Sequence, residues 1–265
     1  MAGYAVNSGV RIAYEQLGDG EPLLFIHGLA YDRRGWGPLP RLLANDFRIV
    51  LLDNRGVGDS DVPAGPYSME QFTADAVAVL DAAGIESAHL FGVSLGGFIA
   101  QEIALAYPER VRKLVLCATS PGGANAFPMP ERGVDAFTRF PSLDRDAGLR
   151  VMVENSLGDH AVRERPELVE EVYAYRLERA PSVEAWEAQF AASRAHDTYD
   201  RLPAVSAPTL VIHGSADTVI DARNGEILAE RISGARIERI PDRGHLVMWQ
   251  EGEALAPIVR DFLRG

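Results

Sequence analysis

The chain has little cysteine, little basic charge and no long apolar run. Cys117 stands alone, which excludes an intramolecular disulfide, and its apolar neighbours predict a buried, inert thiol. Acidic residues outnumber basic residues by 38 to 26, giving a formal net charge of -12. This charge disfavours nucleic acids and anionic membranes as partners, because both bind basic patches. No stretch reaches the roughly 18 apolar residues that a membrane-spanning helix needs.

Signals for targeting and for cofactors are also missing. The first four residues, MAGY, lack the charged and apolar segments of a secretory signal, and we expect a cytoplasmic protein. Histidine, cysteine and acidic residues nowhere show metal-ligand spacing. Gly56 and Gly58 do not form a dinucleotide fingerprint. We therefore expect neither a metal nor another cofactor.

What the chain does contain is a series of short apolar runs separated by helical patterns. Hydrophobic residues make up 47% of the sequence, enough for a full core. Apolar runs predict strands at 22–26, 47–53, 88–91, 111–118 and 208–213, and a half-buried strand is predicted at 236–240. Helical patterns between them predict an α/β fold with a mostly parallel sheet covered by helices on both faces. The run at 10–17, followed by the Gly-Asp-Gly turn at 18–20, predicts an N-terminal hairpin.

The pattern changes over residues 121–200, where no apolar run predicts a strand. Helical patterns occupy 143–157, 166–179 and 182–195 instead. A stretch of this length is too long for an ordinary loop. We therefore predict a core made of residues 1–120 and 201–265, interrupted by a helical cap at 121–200.

Ser94 lies at the centre of a G-x-S-x-G motif, at residues 92–96, between a predicted strand and a predicted helix. In this context the motif forms a sharp turn that projects a strained serine hydroxyl above the end of the strand. Gly92 and Gly96 flank the serine because a Cβ atom at either position would crowd the turn. The motif therefore predicts a nucleophilic serine.

A nucleophilic serine needs a base and an acid that orients the base. Asp217 and His245 follow the last two predicted strands, in the chain order Ser, Asp, His. Because the chain has only six histidines, a histidine in the required loop is informative. Asp242 is a weaker candidate for the acid, since it lies on the same loop as His245. His213 is interpreted as a buried core histidine.

The motifs at 27–29 (HGL), 53–60 (DNRGVGDS), 92–97 (GVSLGG), 213–217 (HGSAD) and 244–245 (GH) resemble those of the α/β-hydrolases, in particular small carboxylesterases and lactonases. The resemblance implies an oxyanion hole made by the backbone N–H groups of Leu29 and Leu95. It also implies that His27 stabilises the oxyanion loop and that the helical cap selects the substrate.

The resemblance implies hydrolysis of a small-molecule carboxylic ester or lactone through an acyl-enzyme on Ser94, with His245 as general base. Residues 23–97 are especially similar to 3-oxoadipate enol-lactonases, so we expect Arg33 or Arg34 to meet a substrate carboxylate. Trp36 belongs to the same match and is also expected at the substrate site, and Trp186 is expected among apolar residues that line the pocket.

Other activities remain open at this point. A C–C bond hydrolase and a cofactor-free perhydrolase use the same triad, although perhydrolases often carry methionine where this chain has Leu95. A small-molecule receptor on the same scaffold is the alternative from a different class. The sequence leaves homo-oligomer formation undecided.

Overall fold

A computed structural model describes the backbone of residues 2–265 and the side chains of residues 2–140 and 142–265. The strands are β1 (Ala2–Asn7), β2 (Val10–Leu17), β3 (Glu21–Ile26), β4 (Phe47–Leu52), β5 (Ala88–Val93), β6 (Val111–Cys117), β7 (Thr209–Gly214) and β8 (Arg236–Ile240). They form one sheet in the order β1-β2-β4-β3-β5-β6-β7-β8. The pairs β1–β2 and β2–β4 are antiparallel, and all others are parallel. The predicted mostly parallel sheet is confirmed.

Helices cover both faces of this sheet. They are α1 (Leu39–Leu43), α2 (Met69–Ala82), α3 (Leu95–Ala106), α4 (Glu131–Arg139), α5 (Arg145–Glu164), α6 (Pro166–Arg179), α7 (Val183–Arg194), α8 (Arg223–Arg231), α9 (Val247–Gln250) and α10 (Gly252–Arg264). One apolar cluster joins α2, α3 and α8 to the sheet, and a second joins α1, α9 and α10 to its other side. Strands β5 and β7 are buried along their whole length, as expected of continuous apolar runs between two helical layers.

The predicted N-terminal hairpin, in which β2 would pair with the strand after the turn at 18–20, is wrong. The turn at 18–20 joins β2 to β3, but these strands are not neighbours, because β4 lies between them. The hairpin is formed by β1 and β2 around Ser8 and Gly9, both of which have positive φ angles. A turn signal marks a change of direction, and it does not specify which strand pairs with which.

Residues 121–200, called the insertion below, lie between β6 and β7 and contain α4 to α7. The helix α4 was not predicted from the sequence, and α5 extends beyond the predicted end at residue 157. The α5 segment is broken at Gly158, whose φ of 78° and ψ of 172° are not helical. Among residues 2–265, no helix is both long and apolar enough to cross a membrane.

Candidate active site

Ser94 occupies a strained turn between β5 and α3. Its φ of 55° and ψ of -119° fall outside the regions that an L-residue prefers, at a typical cost of about 1–3 kcal/mol. Close packing explains the two flanking glycines. A Cβ atom would lie 2.3 Å from the carbonyl oxygen of residue 96 if placed on Gly92, and 1.8 Å from the Ile26 oxygen if placed on Gly96. Both contacts are impossible, so only glycine fits.

His245 and Asp217 form a buried pair at the ends of the neighbouring strands β8 and β7. His245 Nδ1 lies 2.8 Å from Asp217 Oδ2. The other carboxylate oxygen accepts hydrogen bonds from the backbone N–H groups of Val219 at 2.8 Å and Ile220 at 2.9 Å. Burial alone would raise the pKa of Asp217, but His245 and His213 hold this pKa below its ordinary value. Asp217 is therefore a carboxylate that orients His245.

Ser94 and His245 line the same cavity. Because Nδ1 of His245 faces Asp217, Nε2 is the ring nitrogen left for Ser94. No hydrogen bond joins Nε2 to Ser94 Oγ within the part of the chain that the structure describes. In enzymes without substrate, catalytic hydrogen bonds are often long and tighten only when substrate binds.

Asp242, the rival candidate for the acid, is exposed to solvent. It lies in a turn with a φ of 57°, and its backbone N–H donates to Ser215 Oγ at 2.9 Å. Within residues 2–265 its carboxylate forms no ion pair with a histidine. The structure thus pairs His245 with Asp217 and leaves Asp242 in solvent.

The N–H groups of Leu29 and Leu95 are close to the serine in the fold. Leu95 is the first residue of α3, where N–H groups have no intrahelical acceptor and the helix dipole favours negative charge. Gly28, next to Leu29, approaches the serine so closely that a Cβ atom on it would lie 3.1 Å from Ser94 Cβ. Neither the Leu29 nor the Leu95 N–H donates to an acceptor among the described residues. Both are thus available to an oxyanion.

His27 braces the loop that carries Leu29. Its Nε2 lies 2.7 Å from the Gly35 oxygen, and its Nδ1 accepts from the Gly28 N–H at 2.7 Å. Burial lowers the pKa of His27 to about 3, so the ring is neutral at physiological pH. A neutral ring with its proton on Nε2 satisfies both contacts. His27 thus supports the loop and is already fully hydrogen-bonded.

The cavity above Ser94 has a volume of about 130 Å³ and is mostly apolar. Trp186 lines it and stacks on Phe190 with ring centroids 5.0 Å apart. The insertion supplies most of the other apolar lining, which includes Phe137, Phe140, Leu149, Met152 and Val153.

Arg33, Arg34 and Trp36, which were expected at the substrate site, are not among the residues that line the cavity. Arg33 is buried and forms ion pairs with Asp53 and with Asp59. Arg34 is 48% exposed at its side chain and pairs with Asp59 at 3.2 Å. Nearby carboxylates therefore hold both guanidinium groups outside the cavity.

Trp36 is also outside the cavity. It is 1% exposed and packs in the core, with its ring centroid 4.9 Å from that of Phe25 and 4.3 Å from that of His27. Its match to the lactonase motifs therefore reflects core packing beneath the oxyanion loop.

Arg176 of α6 is a cavity residue that the sequence did not reveal. Its side chain lines the cavity and is buried, yet no carboxylate of the described residues lies within 4 Å of it. The guanidinium donates one hydrogen bond to the Ala30 oxygen and lies 4.4 Å from the ring centroid of Tyr31. The chain contains many arginines, and no motif distinguishes this one.

Two further polar residues were not predicted at the site. Gln189 of α7 is fully buried and accepts a hydrogen bond from the Ala30 N–H at 2.9 Å. His213, interpreted from the sequence as a core histidine, is buried but also contacts the acid, with Nε2 3.2 Å from Asp217 Oδ2.

Known proteins resemble this chain over nearly its whole length. Residues 21–252 match the family model described as the alpha/beta hydrolase fold. The chain is 31% identical over 271 residues to 2-hydroxy-6-oxononadienedioate/2-hydroxy-6-oxononatrienedioate hydrolase 2 of Pseudomonas putida, covering 96% of this chain and 92% of that protein.

Solved structures agree with this match. The enol-lactonase from Burkholderia xenovorans LB400 superimposes with a TM-score of 0.88 at 25% identity, over 99% of this chain and 100% of that one. A thermophilic esterase from Thermogutta terrifontis superimposes with a TM-score of 0.85 at 28% identity, over 100% and 98% of the two chains. The chain belongs to the α/β-hydrolase family, and it is a hydrolase.

Proposed function

We propose that this hydrolase cleaves a carboxylic ester or lactone through an acyl-enzyme on Ser94. The observation that carries the proposal is a strained serine and an imidazole in one cavity, a buried carboxylate that orients the imidazole, and two nearby backbone N–H groups without acceptors among the described residues. Acyl transfer needs these groups and no others.

The reaction begins when Ser94 Oγ attacks the acyl carbon and His245 Nε2 takes the hydroxyl proton. The N–H groups of Leu29 and Leu95 stabilise the oxyanion of the tetrahedral intermediate, each by on the order of 3 kcal/mol. The imidazolium of His245 then protonates the leaving oxygen. Water attacks the acyl-enzyme, returns its proton through His245 and releases the acid. Asp217 keeps the base in the required tautomer and stabilises the imidazolium.

The insertion is proposed to act as the cap that selects the substrate, because its side chains form most of the cavity wall. The cavity of about 130 Å³ lies above Ser94 and is partly open, so a small ester or lactone is the proposed substrate.

Arg176 supports an anionic substrate. A buried cation without a carboxylate partner is unfavourable unless an anion compensates it, and Arg176 is such a cation in the cavity wall. A carboxylate of the substrate would supply that anion through hydrogen bonds to the guanidinium. The same observation favours a second candidate activity, hydrolysis of a C–C bond in an anionic ketone by the same triad. The relative from Pseudomonas putida is named for a dioate substrate.

Paired substrates test the proposal. The wild type should hydrolyse both 4-nitrophenyl hydrogen succinate, which is anionic, and its neutral methyl ester, and Ser94→Ala should abolish both activities. Arg176→Met should lower kcat/KM for the anionic ester by a further 10- to 100-fold relative to the neutral one. The neutral ester is the control, because it reports any general disturbance from the lost bond to Ala30. Turnover of an anionic 1,5-diketone with no turnover of esters would favour the C–C hydrolase.

A binding protein on the same scaffold would behave differently. Tight binding of the succinate esters without turnover by the wild type would refute the proposed hydrolysis. Equal losses for the two esters in Arg176→Met would refute the anionic substrate while leaving the triad untouched.

A further inference from the structure

Ala30, which directly follows the proposed oxyanion donor Leu29, has an unfavourable backbone conformation. Its φ of 65° lies in the left-handed region, which costs an alanine about 1 kcal/mol or more. The N–H of Tyr31 donates to the Gly28 oxygen at 3.3 Å, so residues 28–31 form a four-residue turn. A positive φ at the third position is typical of a type II turn, which prefers glycine there.

The insertion binds both backbone polar groups of Ala30. Gln189 Oε1 accepts the Ala30 N–H at 2.9 Å, and Arg176 donates to the Ala30 oxygen. The amide of Gln189 is itself anchored, because its Nε2 donates to the Arg55 oxygen at 2.8 Å. Gln189 is 0% exposed, so water cannot replace it.

These contacts decide between two forms of the turn. Alanine alone favours a type I turn, in which the peptide between Leu29 and Ala30 is rotated and the strain is relieved. That rotation would turn the Ala30 N–H away from Gln189 and leave a buried donor unpaired, at a cost of about 1–3 kcal/mol. The strain and this cost are of the same size, so the bond to Gln189 determines which turn is populated.

We propose that Gln189 is a positioning residue for the oxyanion hole, and this inference rests on the proposed hydrolysis at Ser94. By holding Ala30 in the strained turn, Gln189 fixes the ψ angle of Leu29 and the direction of its carbonyl group, and it thereby keeps the adjoining N–H of Leu29, the proposed oxyanion donor, in place. The insertion thus completes the catalytic machinery of the core in addition to enclosing the substrate.

The variant Gln189→Met tests the proposal, because methionine has a similar length and forms neither hydrogen bond. A complete loss of one oxyanion donor lowers kcat by about 10²- to 10³-fold. A displaced donor should therefore lower kcat for the neutral ester by 10- to 100-fold with KM nearly unchanged. Inhibition by a trifluoromethyl ketone, which forms the oxyanion covalently, should weaken by the same factor. The pH profile of kcat/KM should not move.

Rescue and a matched control separate positioning from simple destabilisation. The second substitution Ala30→Gly should restore most of the lost kcat, because glycine adopts a φ of 65° without strain. Asn224→Leu is the control: Asn224 is buried and bridges the N–H and oxygen of Phe127 in the insertion, at 2.8 and 3.0 Å, but contacts no oxyanion-loop residue. It should lower stability without lowering kcat.

Gln189→Glu keeps an acceptor for the Ala30 N–H and, as the neutral acid that burial favours, a donor for the Arg55 oxygen, so it should retain kcat within about threefold of the wild type. It serves as the test if the methionine variant fails to fold, and a loss above tenfold would then overturn the proposal. Wild-type kcat in a folded Gln189→Met variant, or an equal kcat loss in Asn224→Leu, would overturn it as well. An inactive wild type would instead refute the hydrolysis itself.

Discussion

Replacing Asp217 by asparagine exchanges one carboxylate oxygen for an NH2 group and so tests the proposed role of Asp217 in the triad. One carboxylate oxygen accepts the backbone N–H groups of Val219 and Ile220, and the other faces the imidazoles of His245 and His213. Asparagine offers one oxygen and one NH2 group. Since the backbone donors cannot change, the oxygen remains with them and the NH2 group turns toward the two histidines.

This exchange inverts the tautomer of His245. A ring nitrogen that faces an N–H donor has to act as an acceptor, so the proton of His245 moves from Nδ1 to Nε2. A protonated Nε2 cannot take the proton of Ser94. In a Ser-His-Asp triad this substitution lowers kcat by about 10⁴-fold, which corresponds to about 5.4 kcal/mol of transition-state stabilisation at about 1.36 kcal/mol per tenfold change.

The assay is hydrolysis of 4-nitrophenyl acetate by Asp217→Asn between pH 5 and 9, with folding checked by circular dichroism. Asp242→Asn is the matched control, because Asp242 is an exposed carboxylate on the His245 loop at a φ of 57°, which asparagine tolerates. This control should stay within twofold of the wild type. A folded Asp217→Asn variant with more than a tenth of the wild-type activity would refute the assignment.

Three further substitutions test the supporting structure. Arg33→Met should leave the preference between anionic and neutral esters unchanged, and a lost preference would contradict the placement of Arg33 outside the cavity. In urea titrations the variant should lower the free energy of unfolding by about 3–5 kcal/mol, because it leaves the buried carboxylate of Asp53 without its ion-pair partner. His27→Gln should reduce the acid sensitivity of folding. Between pH 6.5 and 3 the unfolded chain protonates His27, while the folded chain keeps it neutral. The free energy of unfolding of the wild type therefore falls by about 1.4 kcal/mol per pH unit from this group alone as the pH decreases. Parallel stability curves for wild type and variant would refute that contribution. Gly96→Ala should yield no soluble folded protein, because its Cβ atom would overlap the Ile26 oxygen; a folded variant by circular dichroism would contradict the packing at the turn.

The sequence predicts the sheet and the three groups proposed as the triad because both depend on local signals. Continuous apolar runs mark strands buried on both faces, and polar residues directly after those runs lie at one edge of a parallel sheet. Ser94 and Asp217 follow such runs, His245 follows the half-buried strand β8, and the turn glycines specify the strained serine. These signals need no knowledge of distant contacts.

The polar residues of the cavity and its turn, Arg176 and Gln189, follow different rules and were missed. Arg33 belongs to a recognisable motif, yet its guanidinium pairs with Asp53 and Asp59, which a pattern of letters does not reveal. Arg176 and Gln189 reach Ala30 across 146 and 159 residues of sequence. Such contacts depend on how the helices of the insertion pack over the core. Helical periodicity predicts that these helices exist and does not specify which side chains they direct into the cavity.

The acyl-enzyme on Ser94 is the central claim, and mass spectrometry of the trapped intermediate tests it most directly. Rapid acid quenching after mixing the wild type with 4-nitrophenyl acetate should add one acetyl group, located by proteolysis on the peptide that contains Ser94. His245→Ala should accumulate no acetyl group on this time scale, and Ser94→Ala should carry none. Turnover by the wild type without any acetylated peptide, or acetylation at a different residue, would contradict the mechanism.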